Sequence, residues 1–171
     1  MRLAPVALLV IAIGNSPAGA QSVPPSKQSA SAPVRGPSLE LSLEAARTAI
    51  DTCAARDQKI GVTIIDAAGT TKVTLGSDGA SARGVSSSNS KAQTAFNFKA
   101  ATSALTERAQ NDKSLTDAVA ANPAFNIRPG GVPIKVGADI IGAIGVGGAR
   151  GSDIDEACAL AGLQKIQDRL K

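Results

Sequence analysis

Lys91, Thr94, Phe98 and Thr102 are spaced by three, four and four residues, so a helix carrying them presents all four on one face. Lys91 opens a largely apolar helical stretch, one turn before Thr94. It is either a functional cation or a lysine that snorkels along the surface with its ammonium in water. Other chemistries have less to work with. Serines are abundant, but the chain contains no His, so no imidazole can serve as base to a serine nucleophile. Asp66, Asp78 and Lys91 make an acid–base set only if the fold joins them. Asp66 is expected instead to end a strand and accept turn hydrogen bonds, and Asp78-Gly79 is a turn dipeptide. Gly142, Gly145, Gly147, Gly148 and Gly151 lie between a strand and a helix, where a phosphate could meet the helix N-terminus. Their spacing matches neither G-x-G-x-x-G nor a P-loop. Asp153, Asp155 and Glu156 already fill the first turn and repel an anion. These glycines are read as permitting a tight turn and close strand packing.

The elements that must position these residues follow from pattern. A first helix is expected from an N-cap at Ser42 to about Lys59, with Leu43, Ala46, Ile50, Cys53 and Ala54 at helical spacing. Val62 to Asp66 and Thr71 to Leu75 read as a hairpin around Ala67-Ala68-Gly69-Thr70. Ser86 to Ser90 offers caps for a second helix running from Lys91 through Phe98 to about Ala109. A shorter helix covers Ser114 to Ala121 and stops before Pro123, and Asn122 to Gly131 is a loop. Val132 to Val136 and Asp139 to Val146 form a second hairpin around Gly137-Ala138. Ser152 and Asp155 fit a capping pattern for the last helix, whose inner face carries Ile154, Ala157, Cys158 and Ala161. Two hairpins separated by helices give an α+β class: a central antiparallel sheet with helices packed on it, in a single domain.

The chain has 171 residues and a formal net charge of +4. The excess is scattered, and aromatic stacking residues are nearly missing, so nucleic-acid binding is not expected. Residues 1–20 read as a signal peptide: Arg2, the short apolar run Leu3 to Ile13, then Ala18-Gly19-Ala20 before Gln21. No later segment is apolar enough to span a membrane, and the location expected is periplasmic or secreted. Residues 21–37, rich in Pro and Ser, read as a disordered linker, and 38–171 as the folded domain. In an oxidising compartment Cys53 and Cys158 are expected to pair. The bridge would close a loop of about a hundred residues and contribute roughly 4 kcal/mol in the chain-entropy treatment. Two Cys without any His leave too few ligands for zinc.

From about Leu41 to Ile166 the chain resembles the GlcG/HbpS family of haem-binding or haem-degrading domains. The resemblance rests on Val62–Asp66 with Gly69, Asp78-Gly79-Ala80, Lys91-Ala92 with Thr94-Ala95, Phe98, Thr102-Ser103, Gly130-Gly131-Val132-Pro133-Ile134, Gly142 to Gly148 and Asp155-Glu156-Ala157. Lys99-Ala100-Ala101-Thr102 stands where relatives often carry Arg-Pro-Thr. The resemblance implies an α+β domain that assembles into homo-oligomers and binds haem or another planar tetrapyrrole. It places the ligand around the second helix and the Arg128–Gly131 loop. Lys91 or Arg128 would pair with a propionate, Phe96 and Phe98 would pack on the porphyrin, and Thr94 or Thr102 would offer an oxygen to iron. The usual haem ligands His and Tyr are absent. The other function to weigh is a non-catalytic small-ligand-binding or sensor-accessory module without haem. An enzyme acting on a small organic acid lacks a visible catalytic set.

Overall fold

The computed structural model describes residues 34–171; the expected signal peptide and most of the expected linker lie outside the described residues. The end of that linker is docked: Pro37 is buried, the Arg35 carbonyl accepts from Ala67 N at 3.0 Å, and the Arg35 guanidinium meets Asp139 at 2.7 Å.

Helix α1 spans Leu39–Ala54. Its cap is Ser38, whose hydroxyl accepts from Leu41 N at 3.2 Å, and not Ser42, which lies inside the helix and donates to the Ser38 carbonyl at 2.8 Å. The helix stops short of Lys59 because Asp57 turns the chain at φ 54°. Strands β1 (Gly61–Asp66) and β2 (Thr71–Gly76) form the first hairpin. As expected, Asp66 closes its turn, accepting from Ala68 N at 2.9 Å and Thr70 N at 3.0 Å.

Helix α2 covers Ala82–Phe98, capped by Ser81 on Gly84 N at 3.0 Å. It begins well before Lys91, so the Ser86–Ser90 run is interior to it. Serine is a weak helix former because it competes for backbone partners, but tertiary contact decides here: Ser88 lies 2.8 Å from the Thr63 hydroxyl on β1 and donates to Val85 O at 2.7 Å. The expected single helix to Ala109 is broken at Lys99, which is left-handed at φ 54°. Helix α3 (Thr102–Ala109) then starts after Ala101 at φ −60°, the angle to which a proline would be held. Helix α4 (Lys113–Ala120) is capped by Asp112. Strands β3 (Gly131–Val136) and β4 (Asp139–Gly147) make the second hairpin, and α5 (Ser152–Ile166) ends in a short 3-10 turn.

The sheet is antiparallel in the order β2-β1-β4-β3. This confirms the α+β class with two hairpins. One face is apolar: Val62, Ile64, Ile144 and Val146 pack with Ala46, Ala49, Cys53, Cys158 and Ala159 of α1 and α5. Those helices are bridged by Cys53–Cys158, Cα–Cα 5.7 Å, across 105 residues of chain.

The other face is nearly bare of side chains where α2 crosses it. Gly61 pairs with Gly147, and Gly131 pairs with Gly145. A Cβ on Gly145 would overlap the Ser88 carbonyl, one on Gly131 the Lys91 carbonyl, and one on Gly61 would sit 2.5 Å from Val85 Cα. The α2 backbone therefore rests directly on the strand backbones, which only glycine permits. We expect Gly145→Ala to cost about 3 kcal/mol by overpacking, read as a lowered urea midpoint by circular dichroism. An unchanged midpoint would mean that the helix stands off the sheet.

Candidate functional site

The close approach of α2 decides the fate of Lys91. Its helix face reads Gly84, Ser88, Lys91, Ala92, Ala95, all buried, so the lysine is drawn into the interior and is only 2% exposed. The snorkelling alternative is thereby removed. Its Nζ passes Gly130, where a Cβ would lie 2.9 Å from it, and donates to Asp155 Oδ2 at 2.7 Å. Asp155, also 2% exposed, belongs to α5, so the pair joins the two helical layers around the end of the sheet. Asp155 is thus not the capping partner of Ser152. The N-cap of α5 is Gly151, with no side-chain cap bond, and the second Asp155 oxygen accepts from Ala149 N at 2.9 Å.

Burial lowers the Lys91 pKa below its ordinary value, against the pull of Asp155. Burial likewise raises that of Asp155, against Lys91 and the backbone N–H groups of Ala149 and Gly148. Two ions leave water here, and their short contact, with the Ala149 N–H on the second carboxylate oxygen, recovers part of that cost.

This pair floors a cleft of about 400 Å³ between the N-terminal half of α2 and the β4–α5 turn. Arg83 and Arg128 stand on its walls, both exposed, along with Ser87, Ser90 and Ser152. Arg128 Nε donates to Ser152 Oγ at 3.2 Å, which turns the guanidinium over the cleft. Among the described residues that line it, Arg83, Lys91 and Arg128 are cationic and Asp155 is the one carboxylate, with the charge of Glu156 behind it.

The loop carrying Arg128 is pinned by the two threonines singled out in the sequence. Thr94 Oγ1 donates to Ser90 O and accepts from Asn126 N, both at 2.7 Å. Thr102 Oγ1 accepts from Gly131 N at 2.8 Å. Both side chains are fully buried. Glu156 adds a third clamp: its two oxygens accept from Ser103 Oγ at 2.6 Å and Gly130 N at 3.2 Å.

The structure brings Lys91 and Arg128 into one cleft and sets the aromatic rings apart from it. Phe96 packs on the Ile65–Ala92–Ala95–Ala143 cluster and lines a separate cavity of about 450 Å³ with Lys99 and Ile140. Phe98 meets Phe125 edge to face, centroids 5.2 Å apart. Among the described residues, no cluster of three or more His, Cys, Asp or Glu could hold a metal. Sequence reasoning missed Arg83, placed Asp155 and Glu156 in the first turn of α5 without a part in the site, and gave the serines of α2 only a capping role. One signal for Asp155 was available: a lysine on a face of otherwise small residues needs a buried anion.

Lys91→Met should cost about 3–5 kcal/mol, because it strands a buried carboxylate. With its raised pKa no longer opposed by the cation, Asp155 binds a proton more readily folded than unfolded, where the ordinary value is 3.8. Folded stability from that proton is present below the unfolded value and lost as pH rises through the folded one. The deficit of Lys91→Met against the parent should therefore shrink as pH falls. A deficit independent of pH in circular-dichroism melts would contradict the pairing.

The family profile "Haem degrading protein HbpS-like" matches residues 38–164. A crystal structure of HbpS is 31% identical, with TM-score 0.72 over 80% of this chain and 94% of that one. A double mutant of Streptomyces reticuli HbpS is 31% identical, with TM-score 0.71 over 88% and 99%. A PduOC:heme complex shares the fold at 23% identity, TM-score 0.70, over 75% and 94%. No curated protein sequence matches. With its profile match covering nearly all of the folded region, and the sheet, helices and hairpins superposing on HbpS, the chain belongs to the HbpS-like family of haem degrading proteins.

Proposed function

We propose that this chain is an exported haem-binding protein, involved in haem sensing or degradation, that takes haem or a related tetrapyrrole by its propionate carboxylates in the cleft over Lys91 and Asp155. The observation that carries this reading is the cleft's charge: among its described lining residues, Arg83 and Arg128 flank a buried ammonium and Asp155 is the one carboxylate. Guanidinium forks suit carboxylates, and partial exclusion of water strengthens the contact. Family membership supports haem as the ligand class, and the PduOC complex is a case of this fold with heme bound.

The cations fit the propionates. The side chains do not fit the iron, since none of its usual protein ligands stands free among the described residues. No step is therefore assigned through the metal. Bound haem brings its own redox chemistry, and the protein's part is to bind and orient the ring. Export is part of the proposal, supported by the leader-like residues 1–20 and by a disulfide suited to an oxidising compartment. Homo-oligomer formation is supported by Leu39 and Leu43, exposed one turn apart on α1.

A second reading is favoured by the hydroxyl-rich walls and by the position of Phe96 and Phe98 outside the cleft: a small carboxylate ligand, in a binding or sensor-accessory module without haem. Titration of the chain from Gln21 with haemin separates the two. The haem reading predicts a saturable Soret change at a fixed stoichiometry, weakened about tenfold or more in Arg83→Gln/Arg128→Gln. A broad, non-saturating change would exclude it and leave the small-carboxylate reading.

A further inference from the structure

Resting on the tetrapyrrole reading, we propose that this chain recognises its ligand by the carboxylates alone and is indifferent to the metal, so that an iron-free porphyrin binds as well as haem. The proteins that grip haem iron firmly do so with imidazole, thiolate, thioether or phenolate. This chain has no His and no Tyr. Both cysteines are consumed by the Cys53–Cys158 bridge, and the only methionine is Met1, within the leader-like segment.

The weaker donors are committed as well. The Thr94 and Thr102 hydroxyls are 0% exposed and hold the two ends of the Asn126–Gly131 loop. Lys91 lies at the cleft floor, but its Nζ is spent on Asp155 at 2.7 Å, and a protonated amine has no lone pair for a metal. What remains in the cleft are serine hydroxyls and the Asn126 amide, hard donors in competition with water. A second copy in a homo-oligomer would bring the same side chains and the same lack.

Carboxylate recognition, by contrast, is built in depth. Arg128 is oriented by Ser152, and its loop is fixed at Thr94, Thr102 and Glu156. Arg83 stands on the same cleft. The rigid part of the site therefore addresses the edge of the ring that bears the acids, not its centre. The ligand class is a dicarboxylate tetrapyrrole, with or without iron.

The test compares haemin, protoporphyrin IX and haemin dimethyl ester, each titrated into the chain from Gln21 and followed by the ligand's own absorption or fluorescence. Haemin and protoporphyrin IX should bind within about tenfold of each other, and the dimethyl ester more than about tenfold more weakly. Haemin binding more than about tenfold tighter than protoporphyrin IX, or a low-spin six-coordinate haem spectrum, would overturn the inference and leave the haem reading standing. A dimethyl ester within about tenfold of haemin would overturn recognition through the acids. Failure of both haemin and protoporphyrin IX to saturate would instead remove the tetrapyrrole reading itself.

Discussion

Everything distinctive in this structure depends on how closely α2 lies on the sheet. The contact is backbone on backbone, made by Gly61, Gly131, Gly145 and Gly147 beneath Gly84, Val85, Ser88 and Lys91. There is no room for a conventional layer of large side chains on that face, and the apolar cluster there, among the described residues, is the small one around Ile65 and Ala143. Stability is carried by the opposite face, where α1 and α5 pack on the β-branched rows and are joined by the disulfide. Lys91 follows from this geometry. A lysine on the inner face of a helix so near the sheet cannot reach water, so it needs an anion within the protein. Asp155 supplies it across the end of the sheet, where Gly130 leaves a passage.

That pair fixes more than stability. It locks the start of α5 against the middle of α2, and the turn between β4 and α5 then closes one wall of the cleft. The loop before β3 adjoins that wall through Arg128 and Ser152 and is itself held by two buried threonine hydroxyls and the Glu156 carboxylate. Arg128 is thus presented by a tethered loop and not by a freely moving one. Thr94 and Thr102, which the family resemblance offers as iron ligands, have in this chain a scaffold function that the hydrogen bonds make explicit.

Much of this was legible in the sequence, and the limits are instructive. The short strand-like runs and the turn residues around Gly69 and Gly137 place both hairpins to within a residue. The glycines of β4 were correctly read as close-packing positions. The start of α2 was hidden because Ser86–Ser90 has the local composition of a cap, while the interactions that make it helical come from Thr63 and the sheet. The break between α2 and α3 rests on Lys99 in a left-handed conformation, which lysine does not advertise; the proline that relatives often carry at the Ala101 position was the available hint. Asp155 fits a local capping pattern with Ser152, but its partner, Lys91, lies 64 residues away. The paired cysteines, in contrast, were legible from redox logic alone.

The most direct test of ligand recognition by the cationic cleft is where a ligand touches the protein. Nuclear magnetic resonance of the labelled chain, titrated with a diamagnetic iron-free porphyrin, reads this residue by residue, including the arginine Nε–H groups. Binding through the cationic cleft predicts shifts confined to the Ser81–Ser90 turns of α2, the Asn126–Arg128 loop and the Gly148–Ser152 turn, with Arg83 and Arg128 Nε–H among the largest. Shifts centred instead on the cavity beside Phe96, or on the β2 edge, would contradict it.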